Sequence, residues 1–386
     1  MIYLDNNATT PIDPAVAEKM SDFIKENFGN PSSLYPIGRQ VKEMVTEARE
    51  TLAKALGAGR TEIVFTGSGT EADNFAIRGV LDALPEKNEF ITSVIEHPAV
   101  IQTANYLEKK GIKVTYVPVD KYGTVDLQFL KEAVTPQTAI ISIMHANNEI
   151  GTIQPIEEIS RIAKEKGILL HTDAVQSFSK IDVNVNKLGV DLLSISGHKI
   201  YGPKGVGALY IRKGTHIMPL IYGGHQEREM RAGTENTAGI IGLGEAVRVI
   251  KERGDRDKKR IEKLAEKLKK GIKDNVPKVK FNGHEKERIK GTLNFAFYGL
   301  EAEAILLALA TKGIYVSTGS ACSEGAEDDS HVLDAIGLKP EVARSCIRFS
   351  LGRFNSKEDI DLVLKELPDI VAKFREISAL DIDEED

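Results

Sequence analysis

Lys199 lies in a glycine-rich turn, in the stretch SISGHKIYGPKG, between two apolar runs that are typical of strands. A lysine in a loop is usually solvated and protonated, because the ordinary pKa of its amine is about 10.4. An amine that is buried beside a cation or an apolar wall loses its proton and can form a Schiff base with a carbonyl compound. Lys199 is therefore either a solvated loop residue or a covalent anchor, and the rest of the sequence has to distinguish the two.

The stretch TGSGTE follows a short predicted strand and opens a predicted helix. Its backbone N–H groups and the hydroxyls of Ser68 and Thr70 could hold a phosphate group at the N-terminus of that helix. The stretch is not a Walker A loop, because no Gly-Lys-Ser/Thr follows the glycines. The alternative is a helix N-cap with a tight turn.

Asp173 ends an otherwise apolar predicted strand, one strand-crossover-strand unit before Lys199. An acid at this position can cap a helix, bind a metal or pair with the ring nitrogen of a cofactor. No second carboxylate stands at metal-ligand spacing nearby, which disfavours the metal. A lysine, an acid and a phosphate-binding helix start are together what pyridoxal phosphate requires. The sequence thus favours a site for this cofactor at the carboxyl ends of the strands, where ligands bind in open parallel sheets.

The two cysteines lie in different contexts. Cys322 is in STGSACSEGAEDDS, a small, polar stretch that is typical of an exposed loop, so its thiol is a candidate reactive group. Cys346 is in a predicted strand, SCIRFS, and is expected to be a small core residue. Arg348 shares that strand and forms either a surface salt bridge or the two-pronged grip that arginine makes on a carboxylate.

The bulk composition excludes several classes of protein. The 386 residues suffice for about two domains, and 51 basic against 57 acidic residues argue against a chain-wide nucleic-acid-binding surface. Two cysteines without a CxxC pair suit a reducing compartment. The N-terminal stretch has no secretory signal, and no apolar run approaches the length of a membrane span. We therefore expect a cytoplasmic protein with neither a nucleic acid nor a membrane as partner.

Apolar strands alternate with helices over the first two-thirds of the chain. Strands are predicted at 62–67, 89–97, 112–119, 139–147, 167–173 and 190–196, and helices at 41–59 and 155–167. This alternation predicts a mostly parallel sheet that is covered on both faces. From about residue 250 a charged helix, two further strands and two helices predict a smaller α+β domain. We expect the large domain at 14–255 and the small one, which carries the Cys322 loop, at 1–13 plus 256–386.

Taken together, these residues resemble the cysteine desulfurases of the NifS/IscS type, which are pyridoxal-phosphate enzymes of the class V aminotransferase group. The resemblance covers about the whole chain, from YLDNNATTP to CIRFSLGRF. It is carried by FTGSGTEADN, EHPAV, SIMHANNEIG, HTDAVQS, SISGHKIYGPKG, RAGTEN, STGSAC and IRFSLGRF. It implies an α/β fold, that of the aspartate aminotransferase-like transferases of fold type I, with a large mostly parallel-sheet domain and a smaller α+β domain.

The resemblance also implies roles for the residues of the cofactor site. Lys199 is expected to carry the cofactor and to move the α-proton of the substrate, and His97 to stack on the ring and act as an acid or base. Asp173 is expected to keep the pyridinium nitrogen protonated, and Gln176 to bond the phenolic oxygen of the ring. Thr234 is expected to reach the phosphate of the other subunit, which implies a homodimer. The remaining cofactor contacts are expected from Gly69, Thr70, Asn148, Ser196, Gly197 and His198.

The substrate implied by the resemblance is L-cysteine. Asn148 and Arg348 are expected to hold its carboxylate. Cys322 matches the catalytic cysteine of the family and is expected to take the sulfur as a persulfide, which leaves L-alanine. The loop around Cys322 favours the subgroup that feeds iron–sulfur cluster assembly, with a scaffold protein of the IscU/NifU type as the sulfur acceptor. The acidic stretch EGAEDDSHVL after Cys322 departs from the Pro-Ser pair that the family often has there.

Two alternatives stay open beside this reading. One is another pyridoxal-phosphate enzyme of the same group, such as a selenocysteine lyase or an aminotransferase, although a plain aminotransferase needs no thiol at Cys322. The other is an assembly partner that docks on the scaffold, with Cys322 as a ligand of a shared iron–sulfur cluster. Lys199 counts against the second alternative, because a docking protein needs no Schiff-base lysine.

Overall fold

The structure is a computed structural model that describes residues 1–318 and 330–378. The predictions made for Cys322 and its neighbours in 319–329 fall outside these residues. The part of the chain that is described contains no helix that is both long and apolar enough to cross a membrane.

The strands of the described residues form one large sheet and two smaller ones. They are β1 (Ile2–Tyr3), β2 (Ile63–Thr66), β3 (Glu89–Ser93), β4 (Lys113–Val117), β5 (Thr138–Ser142), β6 (Leu169–Asp173), β7 (Leu192–Ser196), β8 (Gly207–Ile211), β9 (Val279–Asn282), β10 (Thr292–Phe297), β11 (Ile314–Tyr315), β12 (Ser317–Thr318) and β13 (Cys346–Ser350). The large sheet has the order β2-β8-β7-β6-β5-β3-β4. Its β8 pairs antiparallel with β2 and β7, and its other pairs are parallel. The prediction of a mostly parallel sheet is confirmed.

Helices connect and cover these strands. They are α1 (Pro14–Glu26), α2 (Pro36–Leu56), α3 (Gly69–Ala83), α4 (Pro98–Glu108), α5 (Leu127–Ala133), α6 (Ile156–Lys166), α7 (Val185–Leu188), α8 (Thr237–Asn275), α9 (Ala302–Thr311), α10 (His331–Ala335), α11 (Pro340–Ala343) and α12 (Lys357–Ile377). The helix predicted from residue 41 begins earlier, at Pro36, because proline is well suited to the first helical position. It ends where Gly57 takes a left-handed φ of 72°, which glycine adopts without strain.

The predicted strands are all longer than the observed ones, and two of them end well before the predicted residue. The strand expected over 89–97 ends at Ser93, and the one expected over 139–147 ends at Ser142. In the first case the chain turns into α4, where the Nδ1 atom of His97 accepts a hydrogen bond from the N–H of Ala99 at 3.1 Å. The polar residues predicted at the ends of these strands therefore lie in the loops after them, at the edge where a ligand can bind.

Apolar side chains are buried on both faces of the large sheet. Ile91 and Ile141 belong to the cluster on one face, and Phe90 and Ile140 to the cluster on the other. Burial on both faces is typical of parallel sheets that are covered by helices. The sheet is thus a rigid frame, and the loops at the carboxyl ends of its strands are held in fixed positions.

The C-terminal part of the chain packs around a separate apolar cluster. An antiparallel sheet in the order β12-β13-β10-β9 lies there, and Leu4 of the N-terminal arm packs with Phe295 of β10 and Leu268 of α8 in the same cluster. The helix α8 continues without a break from the large-sheet cluster into this one. The boundary predicted between 255 and 256 falls inside α8, and the division into 14–255 and 1–13 plus 256–386 stays a prediction.

Candidate active site

A cavity of about 210 Å³ lies beside the carboxyl ends of β5, β6 and β7 and the start of α3. The structure brings most of the predicted site residues together around it: Gly69, Thr70, His97, Asn148, Asp173, Gln176, Ser196, His198, Lys199 and Arg348. Gly197 is in the same turn as Ser196 and His198. The roles of these residues stay predictions, but their proximity is a finding.

Lys199 ends the short turn that leads from β7 towards β8. The residue is only 8% exposed, which excludes the solvated-loop alternative. Its Nζ donates hydrogen bonds to the backbone carbonyls of Asn7 at 2.6 Å and Ala8 at 2.8 Å. These carbonyls hold the amine at the cavity, between the turn after β7 and the N-terminal arm.

Asp173 is the last residue of β6, and its Oδ1 accepts a hydrogen bond from the N–H of Val175 at 2.8 Å. Burial raises the pKa of this carboxyl to about 6, while the Val175 N–H and the charge of Lys199 act in the opposite direction. At neutral pH most of the carboxyl is therefore ionised. Because the contact with Val175 uses one carboxylate oxygen, the capping role leaves the other oxygen for a ring nitrogen.

The start of α3 forms another wall of the cavity. Ser68 caps the helix, and its Oγ accepts a hydrogen bond from the N–H of Glu71 at 3.0 Å. The first N–H groups of a helix have no partner within the helix and attract anions. A Cβ atom at Gly69 would lie 2.8 Å from the Cγ2 of Val175, so glycine is needed for the close approach of this helix to the loop after Asp173. The geometry fits a phosphate group at the N–H groups of Gly69 and Thr70.

Two histidines at the cavity are neutral at pH 7. Burial, together with the charge of Lys199, lowers the pKa of His97 to about 4 and the pKa of His198 to about 4. The Nδ1 of His97 accepts the hydrogen bond from Ala99, so its Nε2 carries the proton of the neutral ring. The Nδ1 of His198 lies 3.1 Å from the Oγ1 of Thr9. Both rings can exchange hydrogen bonds with a ligand without carrying charge.

Arg348 reaches the cavity from β13 of the small-domain sheet. It is 1% exposed, and its Nη2 pairs with Asp5 Oδ1 at 2.7 Å, which excludes the alternative of a surface salt bridge. Its Nη1 donates to the backbone carbonyl of Asn148 at 3.3 Å, and its Nε has no partner among the residues that the structure describes. A guanidinium carries five N–H donors, so this arrangement leaves donors for a carboxylate in the cavity.

The N-terminal arm and Lys180 contribute to the site in a way that escapes prediction from the sequence. Besides Lys199, the carbonyl of Asn7 accepts a hydrogen bond from the Nε2 of Gln176 at 2.9 Å. The Oε1 of Gln176 in turn accepts one from the Nζ of Lys180 at 2.7 Å. The sequence feature that could have indicated this role of the arm is the polar run DNNATT, which is too irregular for a helix and directly follows the buried Leu4.

Asp73 is a second buried acid that pattern reasoning misses. It lies on α3, lines the cavity, and its Oδ1 has no hydrogen-bond partner among the described residues. Burial, together with the charge of Asp173, raises the pKa of Asp73 well above its ordinary value. The signal for it is a charged residue on an otherwise apolar helix face, beside Ala72 and Ala76.

Thr234 lies outside the cavity that contains Lys199. It lines a separate cavity of about 150 Å³ together with Gly67 and Arg231. Arg231 forms an ion pair with Glu71 of α3 at 2.9 Å. Within one chain Thr234 is thus not part of the site, and its predicted contact with the other subunit stays a prediction.

The two cysteines differ in what the structure says about them. Cys322, with its predicted catalytic and cluster-binding roles, is outside the described residues. Cys346 is buried, its Sγ accepts a hydrogen bond from Asn282 Nδ2 at 3.3 Å, and burial raises the pKa of its thiol to about 12. Its predicted place in the core is confirmed. Among residues 1–318 and 330–378, no group of three or more His, Cys, Asp or Glu side chains could hold a metal ion.

The residues around the cavity fit pyridoxal phosphate. The amine of Lys199, the carboxyl of Asp173 and the helix start at Gly69 line one cavity of about 210 Å³. They match an aldehyde, a protonated ring nitrogen and a phosphate, which are the three groups that this cofactor presents to a protein.

Comparisons with known proteins agree with this geometry. The family model for class-V aminotransferases matches residues 2–363. The cysteine desulfurase IscS of Dictyoglomus turgidum is 52% identical over 378 residues, which are 98% of this chain and 96% of that protein. A solved NifS-like protein has a TM-score of 0.91 at 41% identity, over 96% of this chain and 99% of its own. SspA in complex with cysteine has a TM-score of 0.81 at 38% identity, over 92% and 100% of the two chains.

Proposed function

The chain belongs to the class-V aminotransferase family, among its NifS/IscS-type cysteine desulfurases, and we propose that it converts L-cysteine to L-alanine and passes the sulfur to Cys322. It is a pyridoxal-phosphate-dependent enzyme. The observation that carries the proposal is the placement of Lys199, Asp173 and the start of α3 around one cavity at the strand ends.

Different residues of the cavity bind different groups of the cofactor. When bound, pyridoxal phosphate supplies an electron sink for the α-carbon of the substrate. Lys199 is the covalent anchor, Asp173 accepts a hydrogen bond from the ring nitrogen, and Gln176 donates one to the phenolic oxygen. The phosphate contacts are Gly69, Thr70, Ser196, Gly197 and His198.

The amine of Lys199 and the ring of His97 are the groups that move protons. Two backbone carbonyls hold the Lys199 amine at the cavity, where it can take the proton from the α-carbon of the substrate. His97 is neutral at pH 7 and carries its proton on Nε2, so it can donate or accept a proton without leaving its position at the start of α4.

Arg348 and Asn148 bind the carboxylate of the substrate. Arg348 is buried and its pairing with Asp5 leaves N–H donors unused, which supports a charge-assisted contact with a carboxylate. Asp5 competes for the same guanidinium, and it therefore keeps Arg348 oriented when no substrate is bound.

Sulfur transfer balances with the thiol of Cys322 as the acceptor. The bond between the β-carbon of L-cysteine and its sulfur breaks, and a sulfur–sulfur bond to Cys322 forms. The β-carbon receives a proton in place of the sulfur and leaves as L-alanine. The support for Cys322 comes from its sequence motif, STGSAC, because the structure does not describe this residue.

A homodimer is the proposed active unit. Phe28, Leu34 and Tyr222 are large apolar side chains that are mostly exposed in the single chain. Their two segments lie side by side, because Ser32 and His225 line one cavity. Exposed apolar side chains on neighbouring segments suit an interface between proteins, and a dimer formed there would bring Thr234 to the site of the second subunit.

The sulfur acceptor is proposed to be an iron–sulfur scaffold protein of the IscU/NifU type, and the location to be the cytoplasm. The relatives with the name IscS support the first statement. The use of only two cysteines, with Cys346 kept as a buried thiol, supports a reducing compartment.

The proposal is tested by recording the visible spectrum of the purified protein and then adding L-cysteine. We expect a yellow protein that forms alanine and sulfide in the presence of a reductant. Cys322→Ser should keep the visible band and lose sulfide formation, whereas Cys346→Ala, at a buried thiol away from the cavity, should retain both. A protein that takes up no pyridoxal phosphate, or a Cys322→Ser variant with full activity, would overturn the proposal.

A further inference from the structure

Asn7 ties the active site to the small-domain sheet. Its side-chain Nδ2 donates hydrogen bonds to Thr292 Oγ1 of β10 at 2.9 Å and to the carbonyl of Asn148 at 2.9 Å. Its backbone N–H donates to Ser350 Oγ of β13 at 3.0 Å. Asn7 is 3% exposed, and all three of its hydrogen-bond donors are thus used within the protein.

The acceptor atoms of Asn7 bind side chains that lie at the cofactor cavity and beside it. Its backbone carbonyl accepts hydrogen bonds from Lys199 Nζ at 2.6 Å and Gln176 Nε2 at 2.9 Å. Its side-chain Oδ1 accepts one from Lys180 Nζ at 2.7 Å. The anchoring lysine and the amide that is assigned to the phenolic oxygen therefore share one acceptor atom, and that atom is held in place by the small domain.

Lys180 links the two amides of this network. Its Nζ donates to Asn7 Oδ1 and to Gln176 Oε1, each at 2.7 Å. Both acceptors are neutral, and burial, with the charges of Lys199 and Arg348, lowers the pKa of the Lys180 amine to about 7. Lys180 thus acts here as a donor of directed hydrogen bonds to amide oxygens.

The contact with Lys180 determines which end of the Gln176 amide faces Asn7. With Oε1 held by Lys180, the NH₂ group of Gln176 points at the Asn7 carbonyl. Exchange of the two ends would place a donor against a donor and an oxygen against an oxygen. Because an amide NH₂ group has two hydrogens, one remains available to a phenolic oxygen in the cavity.

We infer that Asn7 and Lys180 are positioning residues, which together set the Gln176 amide and the Lys199 amine in a fixed relation to the small domain. This inference rests on the proposed function, since it concerns the same cofactor site. Its consequence is that a change at Lys180, which has no place in the catalytic steps above, alters the cofactor through Gln176.

The test compares Lys180→Met with the unaltered enzyme, both loaded with pyridoxal phosphate. Without the amine the Gln176 amide is free to turn, so the visible band of the cofactor shifts and kcat falls about tenfold, with KM changed less than about twofold. Lys180→Arg recovers most of the loss, because the adjoining cavity of about 370 Å³ accommodates a longer donor. The matched control is Lys258→Met, a lysine that lines that cavity from α8, and it leaves band and kcat unchanged.

The inference is overturned if Lys180→Met keeps the band and kcat of the unaltered enzyme, or if Lys258→Met loses as much. It is also overturned if the losses of Asn7→Ala and Lys180→Met multiply in the double variant, since residues that act through one network do not lose independently. Should Asn7→Ala fail to fold, the Lys180 variants decide alone. Failure of the proposed function is distinct, because the unaltered protein then forms no alanine from L-cysteine.

Discussion

Replacing Asp173 with asparagine is expected to stabilise the cofactor-free protein and to remove its activity once loaded. Burial raises the pKa of Asp173 from 3.8 to about 6. Because each pKa unit corresponds to about 1.4 kcal/mol, the ionised carboxyl destabilises the fold by about 3 kcal/mol above pH 7. Asparagine carries no charge, and its side-chain oxygen can keep the hydrogen bond from the N–H of Val175. Activity is lost because a neutral amide is a poor partner for a protonated ring nitrogen.

The effect of Asp173 on the free energy of unfolding depends on pH. The pKa of Asp173 in the folded protein lies above its value in the unfolded chain, so folding favours the protonated carboxyl. The destabilisation is therefore absent below about pH 4 and is complete above about pH 7. The charge of Asp173 also raises the pKa of Asp73. Removal of this charge makes ionisation of Asp73 less costly in the folded protein, which also adds to its stability.

Urea unfolding of the cofactor-free proteins at pH 8 and pH 5 measures the effect. We expect Asp173→Asn to raise the free energy of unfolding by about 2–3 kcal/mol at pH 8 and by clearly less at pH 5. A variant that is no more stable than the unaltered protein at pH 8, or that gains equally at both pH values, would refute the argument from carboxylate burial.

Two further substitutions test the cofactor and substrate contacts. Gly69→Ala places a Cβ atom 2.8 Å from Val175 Cγ2 and is expected to weaken pyridoxal-phosphate binding about tenfold or more, since overpacking costs about 1–3 kcal/mol. Titration of the cofactor-free protein with pyridoxal phosphate measures this affinity. An unchanged affinity would contradict the close approach of α3 to Val175. Arg348→Lys is expected to raise KM for L-cysteine at least about tenfold, because lysine lacks the planar fork. Steady-state kinetics should show no such rise for Arg344→Lys, at an exposed arginine, and an unchanged KM in Arg348→Lys would contradict the carboxylate contact.

The cluster of residues at the strand ends follows from the sequence pattern. Asp173 and Lys199 come directly after apolar runs, and apolar runs that alternate with helices form a parallel sheet whose carboxyl ends meet at one edge. Prediction of these neighbours therefore needs a local pattern and one topological rule. The exact ends of two strands do not follow, because Ile95 and Met144 continue the apolar pattern beyond the last paired residue.

The contribution of the N-terminal arm does not follow from any local pattern. Asn7 reaches its place through hydrogen bonds to Thr292 and Ser350, which are distant in the sequence. An arm without a periodic apolar face gives no signal about its partners, since packing between the two domains decides where it lies. The role of Lys180 cannot be predicted from the sequence for the same reason, because its burial depends on contacts with that arm.

The unbroken helix α8 restricts how the two apolar clusters that it joins can move relative to each other. Its 39 residues span about 58 Å, and it packs through Leu243 in the cluster at the large sheet and through Leu268 in the cluster of the C-terminal part. A helix that is packed into both bodies resists a hinge, because rotation would have to bend it or separate it from one of its cores. The two clusters are therefore expected to keep a nearly constant separation, so that Lys199, after β7, and Arg348, on β13, approach a ligand from fixed positions.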